Sequence, residues 1–493
     1  MLIYPISTVT ALDRVSSENL EESKLELVME YTSNQLKMND IVGGVIGVVH
    51  KDKLVRTESY GVADLELKSK PSSKTIYFAA SITKALTATS ILKLYSEGLL
   101  DIDQPVKSYI PWFSFKNQEM SDQVTVKHLL IHAAGGVTSS QTDGLVFGND
   151  QSKDSIEQYV RLFNRVHMPE SPGQTGNYCN ACYDALGLVI EYVTGMSYYD
   201  YMDQSIFDPL QMNDTMYGRD LGNIREESIA KEYTWFFAKK QHLERSYESF
   251  GTSQDPDGGA YSTIEDLGKY LSFLLGYSDV LLMDQSTMEL MKSKGVPTET
   301  NTASYTIGGF EAKQLHQVDV YYKTGDGIGS STAILFIPKY DLGIALLLGE
   351  SRPEIQQQLI EDAASIMMGY SPVSPGASMT FGKVIGYIAW ILVAVGTFLM
   401  VIMIWRVMKK KVYTSNMWRA FIGFMVYGVL AFFLWYLILT VRPFSFGFYG
   451  YPYDIAIGLI FIILMSSLWS IYYLFIIITR RYVKVLNRQM KNT

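Results

Sequence analysis

At 493 residues the chain has room for two to four domains, and 48% apolar residues with a slightly positive mean hydropathy is high for a wholly water-soluble protein. Charge is unevenly spread: from Phe381 onward there are 12 Lys+Arg against the single acid Asp454, so the formal net charge of −8 divides into +11 there and −19 over residues 1–380. A segment that acidic lacks the basic face that nucleic acid requires, which excludes DNA or RNA as its partner.

In chain order, Met1–Ala11 is apolar and uncharged, lacks a basic leading segment and is short for a signal-peptide core. With Val9-Thr10-Ala11 as a small-residue cleavage site, residues 1–20 read as a truncated signal segment. A helix is predicted from Leu20 to Met38, where Leu25, Leu27, Val28, Tyr31 and Leu36 form an apolar stripe. Val45–Val49 and Leu54–Tyr60 flank the turn Lys51-Asp52-Lys53 and read as a β-hairpin. Phe78–Lys84 opens a second helix, with Leu86, Ile91, Leu92, Leu94 and Tyr95 at helical spacing and Gly98 as its stop. Helical and loop-rich sequence then runs to about residue 270.

The β pattern returns in Tyr305–Phe310, Val318–Thr324, Thr332–Ile337 and Leu342–Leu348, followed by a helix over Pro353–Met368. The expected fold class is α+β: an antiparallel sheet built from both ends of residues 21–370, with flanking helices and an inserted all-helical subdomain. Residues 371–380 read as a linker to a membrane domain over 381–493. There Val384–Trp405, Ala420–Val441 and Ile455–Thr479 are uncharged apolar runs of more than 20 residues, each long enough to span a bilayer, giving three transmembrane helices. Arg406, Lys409–Lys411 and Arg419 follow the first run, and Arg480, Arg481, Lys484, Arg488 and Lys491 follow the third, whereas Arg442 alone separates the second from the third. The positive-inside rule therefore predicts a cytoplasmic C-terminus and an extracytoplasmic segment 1–380.

Three short motifs carry chemistry. Ser81 and Lys84 lie one turn apart on the same helix face, so a desolvated lysine can take the proton of the serine hydroxyl while the helix N-terminus faces an oxyanion. Pro172–Asn180 leads into an apolar helix and can present the Tyr178 phenol and the Asn180 amide from a loop. Tyr322-Lys323-Thr324-Gly325 ends a β run, where a strand edge can pair with an extended substrate, Lys323 offers charge for a carboxylate and Gly325 permits close backbone approach.

Ser-x-x-Lys, Tyr-x-Asn and Lys-Thr-Gly in this order resemble the serine β-lactamase and penicillin-binding-protein superfamily, in the branch of class C β-lactamases, D,D-peptidases and esterases. The likeness spans about residues 25–370 and includes Leu99–Val106, Thr125–Gly135 and Gly258–Thr263. It implies a Ser81 nucleophile, Lys84 and Tyr178 as one proton-sharing unit, Asn180, Lys323, Thr324 and Gly325 around the substrate, and an oxyanion hole from the backbone N–H groups of Ser81 and Asp326. It implies no cofactor and no metal. As a base Lys84 must be neutral, and burial together with Lys323 is expected to push its pKa down. Asp326 departs from the pattern, and its carboxylate is expected to point away from an anionic intermediate. Cys179 departs as well.

Cys179-x-x-Cys182 has redox and metal-binding counterparts, but two thiols without a second pair make a poor zinc site, and small residues packing at a helix start is the reading adopted. His128 and His132, four apart on a short helix, read as core and capping groups. The expected function is that of a membrane-anchored serine hydrolase, acting through a Ser81 acyl-enzyme on D-amino-acid amides or esters of peptidoglycan or wall polymers, or on β-lactams. Its expected partners are that small-molecule or peptidoglycan-derived substrate and the lipid bilayer. The alternatives are a true β-lactamase and a penicillin-sensing receptor acylated on Ser81.

Overall fold

The computed structural model describes residues 17–145, 150–236, 238–243, 252–372, 381–408, 418, 421–429, 432 and 453–490. The signal-segment reading of Met1–Ala11, the Lys409–Lys411 cluster and most of the second apolar run lie outside these residues. Two compact units form, residues 1–233 with 243–378, and residues 234–242 with 379–493.

In the first unit an eight-stranded antiparallel sheet has the order β2-β1-β13-β12-β11-β10-β9-β8. Its strands are β1 (Gly43–His50), β2 (Lys53–Gly61), β8 (Lys294–Pro297), β9 (Ser304–Thr306), β10 (Glu311–Leu315), β11 (Val318–Asp326), β12 (Ser331–Ile337) and β13 (Leu342–Leu348). Strands β12 and β13 are buried along their whole length because both faces of the sheet are covered. Alternation sorts their side chains: Ala333, Leu335 and Ile337 join Ile344 and Leu346 in a core under helices α1 (Ser17–Met38) and α5 (Pro353–Met367), packed with Val28, Leu359 and Ile360. On the opposite face Ile334, Phe336, Ala345 and Leu347 join the larger core that holds α2 (Ile82–Ser96), α3 (Asn180–Thr194) and α4 (Ile264–Leu274).

The block between the two halves of the sheet is not all-helical. A three-stranded sheet, β3 (Tyr77–Phe78), β7 (Ala260–Ser262) and β4 (Met216–Tyr217), runs through it, and β5 (Glu232–Phe236) and β6 (Lys239–Leu243) form a hairpin. Two- and three-residue strands carry too little alternation to stand out from loop sequence. The expected strand over Tyr305–Phe310 is also corrected: Gly308 and Gly309 turn the chain (φ +77° at Gly309), so β9 ends at Thr306 and a separate strand begins at Glu311.

In the second unit α6 (Phe381–Met408) and α7 (Tyr453–Gln489) cover the first and third apolar runs. Among the described residues one segment, Ile462–Tyr482, is long and apolar enough to cross a membrane; within α6 the apolar stretch is the shorter Gly386–Val395. Of the three expected spans, the third thus stands as such a helix among the described residues, and most of the second run lies outside them.

Candidate active site

Ser81 caps the N-terminus of α2, yet its side chain makes no capping bond, so the hydroxyl is left to other partners. Ala80 just before it is left-handed at φ +47°, a conformation that costs a non-glycine residue about 1–3 kcal/mol. Hydrogen bonds hold the strained turn: Thr83 Oγ1 donates to Ala80 O at 2.6 Å, Ala260 N–H to Thr83 Oγ1 at 3.1 Å, and Ala79 N–H to Ala260 O at 2.8 Å. The turn that carries Ser81 is therefore stapled to β7.

Lys84 is fully buried, and its Nζ lies 3.0 Å from Ser81 Oγ. The same ammonium donates to the main-chain oxygen and to Oδ2 of Asp257, each at 2.8 Å. Burial pulls the Lys84 pKa down, but Asp257 and then Tyr178 outweigh it and leave the group above its ordinary value. The expectation of a lowered Lys84 thus fails, because a carboxylate one residue ahead of Gly258-Gly259 was not foreseen as its partner.

Tyr178 sits in the loop leading to α3, its ring close to two cations: Lys84 Nζ is 5.1 Å and Lys323 Nζ 4.7 Å from the ring centroid. Its backbone N–H donates to the Glu299 carboxylate, which also accepts from Tyr305 Oη at 2.9 Å. His132 packs 4.6 Å from the Tyr178 ring and accepts the Cys179 N–H at Nδ1, 3.1 Å away. Burial, then the charges of Lys323 and Lys84, hold its pKa well below the usual histidine value, so it is a neutral packing group. His128 closes a capping box with Thr125.

Asn180 opens α3; its Nδ2 donates to Asp143 Oδ2 at 3.3 Å and its N–H to Ser139 Oγ at 2.9 Å. Cys179 and Cys182 are disulfide-bonded and fully buried at this helix start, rather than two separate thiols. The third motif lies on β11. Lys323 is 1% exposed, with Glu311 Oε1 on the neighbouring strand 3.9 Å from its Nζ. Thr324 pairs with Ala333 in the ladder. Asp326 turns its carboxylate to Ser331 Oγ at 3.2 Å and Gln356 Nε2 at 2.5 Å.

The structure thus gathers Ser81, Lys84, Tyr178 and Lys323, with Gly325 against the Ser81 turn and Asn180 one helix start away. Sequence reasoning missed Asp257, Glu311, Glu299 and Asp143. Only Asp257 carried a signal, an acid directly before the Gly258-Gly259 pair already singled out.

A family profile described as Beta-lactamase matches residues 28–364. The Staphylococcus aureus (strain MRSA252) protein named "Protein flp" is 27% identical over 363 residues, 73% of this chain and 69% of the relative. "Teichoic acid D-alanine hydrolase" from the same strain is 25% identical over 335 residues, 66% of this chain and 75% of the relative. Among solved structures, the octameric penicillin-binding protein homologue from Pyrococcus abyssi superposes with a TM-score of 0.61 at 25% identity, over 71% of this chain and 78% of that one. A class C β-lactamase from Rhodobacter sphaeroides shares the fold, with a TM-score of 0.55 at 20% identity over 71% of this chain and 99% of that one. A match over more than half of the chain, on the fold and with the clustered side chains described above, means that the chain belongs to the Beta-lactamase family.

Proposed function

We propose that the chain is a serine hydrolase that forms an acyl-enzyme on Ser81 and acts on D-amino-acid esters or amides of cell-wall polymers. The observation that carries this reading is the 3.0 Å contact between Lys84 Nζ and Ser81 Oγ at a helix start, with Tyr178 beside the same ammonium. In this reading Ser81 Oγ attacks the acyl carbon, its proton passes to the Lys84–Tyr178 unit, and that unit returns a proton to the leaving oxygen or nitrogen. Backbone N–H groups of Ser81 and Asp326 receive the oxyanion. Water then releases the acyl group.

Glu311 beside Lys323 bears on the choice of substrate. A cation already facing a carboxylate attracts a substrate carboxylate less, which favours acyl donors carrying a free amine, such as D-alanyl esters, over peptide stems ending in a carboxylate. The name of the Staphylococcus aureus teichoic acid D-alanine hydrolase agrees with that class. The C-terminal helices serve as a membrane anchor, with the catalytic unit extracytoplasmic and the C-terminus cytoplasmic.

The test is labelling of Ser81 by a fluorescent penicillin in membranes, with the decay of the label followed over hours. Slow release on Ser81, lost in Ser81→Ala, is expected of an esterase or peptidase. Rapid turnover identifies a β-lactamase and permanent labelling a sensor, and labelling that persists in Ser81→Ala overturns the assignment.

A further inference from the structure

The Lys84 ammonium has three protons to donate, and the structure gives it three acceptors: Ser81 Oγ at 3.0 Å, Asp257 O at 2.8 Å and Asp257 Oδ2 at 2.8 Å. With all three used, the cation has no lone pair to offer and Ser81 Oγ receives a hydrogen bond from it. A neutral amine would instead keep a lone pair for the serine proton. The pair is buried, with side-chain exposures of 0% for Lys84 and 9% for Asp257, so water does little to weaken it.

Asp257 is rigidly mounted. The turn Asp255–Gly258 is fastened to α2 by Thr87 Oγ1, which donates to Pro256 O at 2.7 Å, and β7 directly after it is fastened by Thr83. Other groups face Lys84 from each surrounding element. Tyr178 faces it with its ring and with its phenol oxygen, a further hydrogen-bond partner, Tyr183 presents a ring face, and Lys323 lies 4.7 Å from the Tyr178 ring centroid. His132 is neutral. Asp184 on α3 is fully buried and pushed well above the usual carboxylate range by burial and then by the charge of Asp257, and Asp143 is pushed up to about 8, first by burial. Among the described residues, Asp257 is the carboxylate in contact with the Lys84 ammonium.

We infer that Asp257 is a positioning residue that locks Lys84 as a charged hydrogen-bond donor to Ser81. This rests on the acyl-enzyme reading above. It goes further in dividing the proton-sharing unit: Lys84 orients and stabilises Ser81 Oγ, and Asp257 prevents it from acting as the base.

The experiment is the pH dependence of Ser81 acylation by a fluorescent penicillin, from pH 6 to 10, on the full chain in membranes. Wild type is expected to show no ionisation that depends on Lys84. In Asp257→Asn burial acts on Lys84 without a neighbouring carboxylate, so its titration falls into this range. The variant should gain a new limb, rising about tenfold or more toward alkaline pH as Lys84 acquires a lone pair. That limb should vanish in Asp257→Asn/Lys84→Ala. A profile in Asp257→Asn that keeps the wild-type shape, scaled by a constant, overturns the inference and leaves the acyl-enzyme reading intact. Loss of Ser81-dependent labelling in wild type overturns both. Should Asp257→Asn fail to fold, Asp257→Glu serves: it retains a carboxylate and must keep the wild-type shape, and a new limb there also overturns the inference.

Discussion

Gly325 and Ser81 meet backbone to backbone: a Cβ at Gly325 would lie 3.2 Å from the Ser81 nitrogen, 2.3 Å from Ala79 O and 2.4 Å from Thr332 Oγ1. Two of these atoms belong to main chain that cannot rotate aside. Thr332 Oγ1 on β12, opposite Gly325, already donates to Ala79 O at 2.9 Å, so β12 beside the end of β11 is tied to the turn before α2 at this point. Gly325→Ala must push them apart. A loss of about 1–3 kcal/mol of stability is expected from the overpacking, with acylation slowed by about 10²-fold or more as the oxyanion donors separate. Thermal unfolding read beside the rate of penicillin labelling checks both; a variant acylated at the wild-type rate would refute the contact's role.

In the proposed reading Lys323 and Glu311, 3.9 Å apart, set the charge that a substrate tail meets. Glu311→Gln removes the competing carboxylate, so kcat/KM for carboxylate-bearing acyl donors should rise about three- to tenfold relative to amine-bearing D-alanyl esters. Lys323→Ala should act in the opposite sense, weakening carboxylate-bearing donors more than neutral esters. Equal changes for all donors in both variants would remove Glu311 from substrate selection.

Much of this arrangement was legible because it is local. Ser81 and Lys84 share one helix turn, and the periods of β11 to β13 are strong enough to be read strand by strand. What escaped depends on groups that only the fold brings together. Asp257 lies 173 residues from Lys84, Glu311 acts across a strand pair, and Glu299 reaches Tyr178 from 121 residues away. The Lys84 charge state shows the effect of that distance in sequence: burial alone argues for a neutral amine, and remote Asp257, followed by Tyr178, reverses the sign. The disulfide escaped for another reason, since a C-x-x-C pair reads equally as thiols, metal ligands or a bridge until its backbone geometry is known.

Buried acids near the site make stability depend on pH. Burial pushes Asp255 up to about 7 and, with the charge of Asp257, pushes Asp143 up to about 8. Between the unfolded carboxyl range near pH 4 and these values the folded chain holds protons that the unfolded chain has lost. Their contribution is therefore full below about pH 4 and declines as pH rises toward 7–8. His132 has the opposite sign: its lowered pKa adds stability above the unfolded histidine value and loses it as pH falls. With Asp184 also raised, the carboxyls outnumber it and the net slope is downward. Urea midpoints measured from pH 4.5 to 8.5 should fall, and Asp255→Asn, which keeps an acceptor for the 2.8 Å bond from Tyr199 Oη, should flatten that slope.

The basic residues at Arg406–Arg419 and after Thr479, against Arg442 alone between the last two apolar runs, predict which side is exposed. Protease added to intact cells should release a fragment extending to about residue 370. Release only after lysis would invert the proposed orientation.

The pairing of β1 with β13 also governs when the candidate site can assemble. Gly44 lies opposite Leu348, so the first strand of the sheet waits for its inner neighbour until some 300 further residues have been synthesised. Such long-range pairing closes slowly, because the loop must be drawn in before the contact rewards it. The strand that carries Lys323 joins β1 only through β12 and β13. Ser81 is thus made early and joined by Lys323 late, and a chain interrupted before Leu348 holds Ser81 beside an unfinished sheet.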